Sequence, residues 1–189
     1  MNTPISKFQK THAINSWLNL ILSSTIVVFV FISLVINLLA QPTELVEEVG
    51  TKTFRMFTVL SNMLVGVSFA MTIPFAVDGI RQRNYHLPRW IVTLTYASVT
   101  CISLTFLVAL TILSASVGFY IIMLDGSNLL LHTLTPILAI VAFLFINTYH
   151  TIKFKMTFLA MLPMFIYAMV YLVFAIIIGE ENGGWRDRY

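Results

Sequence analysis

The chain has 189 residues, of which 58% are hydrophobic and only 10% charged, with a net charge of +3 and a mean hydropathy of +0.89. A soluble domain carries about a quarter charged residues, so this composition excludes a water-soluble globular fold. The Lys and Arg residues lie scattered in short segments between apolar runs, which excludes a nucleic-acid-binding domain. The single cysteine, Cys101, excludes an intrachain disulfide.

Five apolar runs follow one another, each near the ~20 residues that a helix needs to span a bilayer. The first, Trp17–Ala40, comes after Lys7 and Lys10. It is far longer than the roughly 7–15 apolar residues of a signal peptide, so it reads as an anchor that stays. An acidic loop with Glu44, Glu47 and Glu48 leads to the second run, Phe54–Val77. Arg81, Arg83 and Arg89 then precede the third, Trp90–Leu113. Ser114 to Leu124 fits no span. Ser114-Ala115-Ser116-Val117-Gly118 should break the helix, after which Phe119–Leu124 reads either as a sixth, interfacial or re-entrant segment or as an extension of the third helix. Asp125 precedes the fourth run, Asn128–Thr148. Lys153 and Lys155 precede the fifth, Thr157–Gly179, and the tail opens with Glu180 and Glu181 before Arg186 and Arg188.

Lipid cannot satisfy backbone N–H and C=O groups, so each span should be a helix. The expected fold is all-α, a single transmembrane domain over 1–189. The alternation of basic and acidic connections puts the N-terminus in the cytoplasm and the C-terminus outside, in a cell membrane.

Asp, Glu and Lys are absent from all five runs, and Arg55 sits at a rim. Only His132 lies well inside one. An ionisable group in hydrocarbon is costly and marks a functional site by default; the plainer role is one hydrogen bond between helices. His132 falls about one turn, roughly 6 Å, into the fourth helix. Pro136, four residues on, has no N–H, so it should leave the His132 carbonyl without a helical donor.

The second helix enters from the same side. Thr58 lies about one turn in, level with His132, and Ser61 and Asn62 extend a polar stripe along one face. A hydroxyl beside an imidazole is the minimum arrangement for an activated oxygen nucleophile, and two helix N-termini suit a developing oxyanion. The plainer role of Thr58 is a hydroxyl bonded to a carbonyl one turn back, and that of Asn62 is packing between helices. Tyr167 and Tyr171, with Pro163, reach toward the same half of the bundle from the fifth helix, where such tyrosines ordinarily pack.

The run Phe54-Arg55-Met56-Phe57-Thr58-Val59-Leu60-Ser61-Asn62-Met63-Leu64 resembles a segment of the androgen-induced-gene family of multi-pass membrane hydrolases. Leu131-His132-Thr133-Leu134-Thr135-Pro136 is similar to that family's histidine-then-proline helix start. Pro163, Tyr167 and Tyr171, followed by Gly183-Gly184-Trp185, resemble its last helix and exit. The resemblance implies an intramembrane threonine hydrolase acting on fatty acid esters of hydroxy fatty acids, with Thr58 as nucleophile and His132 as its partner.

Three functions follow. The first is a hydrolase of lipid acyl esters: Thr58 and His132 catalytic, Asn62, Ser61, Tyr167 and Tyr171 in the binding site. The second is a lipid-binding or lipid-sensing protein without catalysis. The third, a small transporter, is disfavoured because neither a repeat nor a chain of intramembrane charges is visible. The expected partners are the bilayer and a lipid-like substrate. No metal or other cofactor is expected, since no His, Cys, Asp and Glu cluster has ligand spacing and no phosphate-cradling glycine loop occurs.

Overall fold

The computed structural model describes residues 7–40, 50–82, 86–146 and 154–179. The acidic first loop, Arg83, His150, Lys153, the Gly183-Gly184-Trp185 match and the charges of the tail lie outside the described residues, as do the side chains of Lys7, Lys10 and His12.

Five helices are long and apolar enough to cross a membrane: Ile14–Leu39, Phe57–Gln82, Arg89–Val117, Gly126–Leu144 and Phe154–Ile178. Among the described residues there is no strand. The chain is an all-α, multi-pass membrane protein. Its large exposed side chains, such as Ile21, Phe31, Phe165 and Ile177, are apolar; on a membrane bundle such residues meet acyl chains.

Several helix boundaries differ from the sequence reading, the first helix starting at Lys7 and the second ending at Gln82 among them, and two of the differences have a local reason. The second helix begins at Phe57 rather than Phe54, because Gly50–Arg55 forms a 3-10 turn. That turn closes with the Met56 N–H bonded to the Thr53 carbonyl at 3.1 Å. The third helix does not break at Ser114. A π-helical turn over Ala109–Leu113 absorbs the serine, whose N–H and hydroxyl both go to the Ala109 carbonyl, the hydroxyl at 2.7 Å. The helix runs on to Val117 and ends at Gly118, whose φ of 117° a side chain would resist. Phe119–Met123 is then a separate short helical turn. The third helix is thus extended by one turn, and a separate segment follows it.

Helices one to four pack in a ring, first on second, second on third, third on fourth and fourth on first. Ile26, Val30, Val65, Phe69, Ile91, Ile102, Ala139 and Ala142 fill the core between them. At Gly66 the first and second helices approach so closely that a Cβ would lie 2.9 Å from a Val30 methyl. Hydroxyl rungs tie neighbours together: Ser23 to Thr72 at 2.8 Å, Ser68 to Ser98 at 2.7 Å and Ser61 to Thr105 at 2.9 Å. Such interhelical bonds are worth about 0.6 kcal/mol each on average. Rungs 61–105 and 68–98 also fix the second and third helices as antiparallel. The fifth helix stands outside the ring, packed mainly on the third.

Candidate functional site

The second and fourth helices both begin at one end of the bundle, and there a single side chain joins them. The Asn62 Nδ2 donates to the Thr58 carbonyl at 2.8 Å and to the Leu131 carbonyl at 3.1 Å. Two carbonyl oxygens around one nitrogen put the backbones of Thr58 and Leu131 at the same level across the helix pair. Leu131 immediately precedes His132. The turn that carries Thr58 and the turn that carries His132 are therefore neighbours, at the common depth expected from helix starts.

The turn with His132 is not an α-helical one. Leu129–Leu134 is π-helical, and the Thr135 N–H bonds back to Leu130 rather than to Leu131 as an α-helix would have it. Pro136, next in line, has no N–H. The carbonyl thus opened is Leu131's, and the Asn62 amide fills it. The sequence pointed to the His132 carbonyl, one residue later; the extra residue of the π turn exposes the Leu131 carbonyl.

His132 is 6% exposed, and its Nδ1 has no hydrogen-bond partner. The Asn62 Oδ1 is likewise buried and unpartnered, as are the hydroxyls of Thr53 and Thr135. A buried polar atom left unsatisfied costs about 1–3 kcal/mol, so each of these atoms calls for a partner such as an ordered water or a bound molecule, or for a catalytic role. Thr135 lies three residues beyond His132, at the end of the π turn. Thr53 belongs to the 3-10 turn just before Thr58. Neither was singled out in the sequence.

Thr58 is half-buried. Most hydroxyls on these helices bond a carbonyl three or four residues back, among them Thr25, Thr72, Thr95 and Ser103. Among the described residues no hydrogen bond holds the Thr58 hydroxyl. It is the second residue of its helix, so the carbonyl four back belongs to Phe54, in the 3-10 turn beyond the bend at Met56. The hydroxyl and the His132 ring share no hydrogen bond either, and the link between their turns is Asn62.

Ser61 and Asn62 part company. Adjacent residues on a helix differ by about 100° in direction, so Asn62 meets the fourth helix while the Ser61 hydroxyl bonds Thr105 on the third. Ser61 also borders an apolar cavity of about 940 Å³ between the second, third and fifth helices. Phe57, Trp90, Ala97, Cys101, Pro163 and Tyr167 are among its walls, but Thr58 and His132 are not. The Tyr167 hydroxyl donates to the Arg55 carbonyl at 2.9 Å, and its ring lies 4.9 Å from that of Phe57 and 6.1 Å from that of Tyr171. Tyr167 therefore braces the bend before Thr58, while Tyr171 stacks on Tyr167. Among the described residues no cluster of His, Cys, Asp or Glu could hold a metal ion.

No protein-family model, no curated protein and no solved structure matches this chain.

Proposed function

We propose that the chain is an intramembrane hydrolase of lipid acyl esters, with Thr58 as nucleophile and His132 as general base. The observation that carries this reading is the Asn62 bridge, which holds the turn of an uncommitted hydroxyl against the turn of a buried imidazole with an unpartnered nitrogen. In the reaction the Thr58 Oγ1 attacks the ester carbonyl carbon as the imidazole takes the hydroxyl proton. The ester C–O bond breaks, and the imidazolium returns that proton to the departing alkoxide. Water then attacks the acyl-threonine, again through the imidazole, and releases the fatty acid and the free hydroxyl. The missing hydrogen bond between the two side chains is compatible with this, since catalytic contacts are often long until substrate binds.

The Asn62 amide has both its protons committed to carbonyls, so it is no oxyanion donor. That role falls to the backbone N–H groups of Phe57 and Thr58 at the start of the second helix, since those of Val59 and Leu60 already bond the Met56 carbonyl. The resemblance to the androgen-induced-gene hydrolases points to the same two residues and to fatty acid esters of hydroxy fatty acids as substrates. The site then lies near the outer leaflet of the cell membrane, with the N-terminus in the cytoplasm and the C-terminus outside.

The test is turnover of fatty acid esters of hydroxy fatty acids by purified protein in liposomes. Thr58→Ala should abolish release of fatty acid, and His132→Ala should slow it by about 10²–10⁴-fold, the usual worth of a general base. Wild-type protein that cleaves no lipid ester removes the reading.

One observation favours a second reading, a lipid-binding protein without catalysis. The 940 Å³ apolar cavity has neither Thr58 nor His132 in its wall, so it can hold an acyl chain whether or not those residues react. A binder of this kind retains its lipid when Thr58 becomes alanine.

A further inference from the structure

We infer that Asn62 is the positioning residue for His132, and that it is needed because Pro136 and the π-helical turn together strip the Leu131 carbonyl of every helical donor. The inference deepens the catalytic reading and rests on it for the purpose of the device, but the coupling between Asn62 and Pro136 stands on geometry alone.

An α-helix would satisfy the Leu131 carbonyl with the N–H of residue 135, and a π-helix with the N–H of residue 136. Here the first of these goes to Leu130, and the second does not exist because residue 136 is proline. In the membrane interior no water takes the place of a missing donor. The donor comes instead from the second helix, as the Asn62 amide at 3.1 Å. The same amide holds the Thr58 carbonyl at 2.8 Å, so the bond that completes the irregular turn also sets its distance from the turn of Thr58. Asn62 is 1% exposed and His132 6%, which leaves neither side chain room to swing out when the bond is lost.

Replacing Pro136 by alanine supplies a new N–H. If the turn stays π-helical, that N–H reaches Leu131. If it reverts to α-helical, the N–H of Thr135 does. In both cases the carbonyl no longer needs Asn62. The proposal therefore predicts a specific rescue: Asn62→Ala is harmful while Pro136 is present and much less so once Pro136→Ala has supplied the donor.

The experiment is a double-mutant cycle on the full chain in detergent micelles, with Asn62→Ala, Pro136→Ala and the pair. Two quantities are read. The first is the thermal midpoint. The second is the ring resonance of His132 in protein carrying 13C-labelled histidine, assigned through His132→Gln. Asn62→Ala should lower the midpoint by on the order of 5 °C and shift or broaden the His132 resonance. In the Pro136→Ala background the same change should cost less than half as much and leave the resonance where Pro136→Ala alone puts it. An Asn62→Ala protein that does not fold, with the double variant folded, supports the proposal most strongly. Additive midpoints, an unmoved resonance in Asn62→Ala, or failure of both variants to fold overturns it. None of these readouts needs catalysis, so a protein that hydrolyses no ester can still show the coupling. An active protein with additive midpoints keeps its chemistry and loses this account of Asn62.

Discussion

The Tyr167 hydroxyl, on the fifth helix, donates to the Arg55 carbonyl at 2.9 Å, one hundred and twelve residues earlier in the chain. Arg55 ends the 3-10 turn, and Phe57, against whose ring Tyr167 also packs, begins the helix that carries Thr58. A helix otherwise outside the four-helix ring thus fixes the bend from which the proposed nucleophile projects.

Tyr167→Phe keeps the ring contact with Phe57 and removes the hydrogen bond. A single hydrogen bond contributes about 1 kcal/mol, which corresponds to roughly 2–4 °C in a protein of this size. The thermal midpoint should fall by that amount, and ester turnover should fall more than the stability loss explains. Scanning fluorimetry and a turnover assay on one preparation check both. Unchanged turnover would show that the bend needs no brace.

Gly66 should be intolerant of any side chain. A Cβ there meets a methyl of Val30 at 2.9 Å, and a valine has no flexible end that could move aside. Overpacking of this kind costs about 1–3 kcal/mol. Gly66→Ala should therefore lower the midpoint by several degrees, and Val30→Ala in the same chain should recover part of the loss. Equal midpoints for wild type and Gly66→Ala would mean that the two helices part without cost.

The Ser68–Ser98 rung should matter little. Its 2.7 Å contact joins the second and third helices, yet each measured bond of this type in a membrane bundle averages about 0.6 kcal/mol, and Ser68 also bonds the Val65 carbonyl. Ser98→Ala should shift the midpoint by no more than about 2–3 °C. A larger drop would assign the rung a role beyond packing.

The proposed orientation has its own check. In a Cys101→Ser background, Asp125→Cys should react on intact cells with a maleimide that cannot cross membranes, whereas Asp78→Cys should react only after lysis. The reverse pattern would invert the topology and move the Thr58 end to the cytoplasmic leaflet.

The five helices were legible because lipid imposes one length and one secondary structure on an apolar run, and each of the five runs has a helix at its place. The pairing of depths for Thr58 and His132 was legible too, since both helices start from one end. Direction was not. Ser61 and Asn62 looked like one stripe, but one residue turns the helix far enough that Ser61 faces Thr105 and Asn62 faces Leu131. Which way a polar face points depends on the partners that assemble around it, and these come from helices 40 to 70 residues away. The π turns at Ala109–Leu113 and Leu129–Leu134 were hidden for a related reason. Proline announces a missing donor, but only the bonded register says which carbonyl is left open.

The central claim is that the Thr58 hydroxyl is a nucleophile driven by His132. Its most direct measurement is covalent capture: purified protein is treated with an acyl-chain fluorophosphonate, digested, and the modified residue located by mass spectrometry, with the labelling rate compared in His132→Ala. The account predicts an adduct on Thr58 and a rate lowered by about 10²–10⁴-fold in His132→Ala. An adduct on any other residue, or a Thr58 adduct formed as fast without the imidazole, contradicts it.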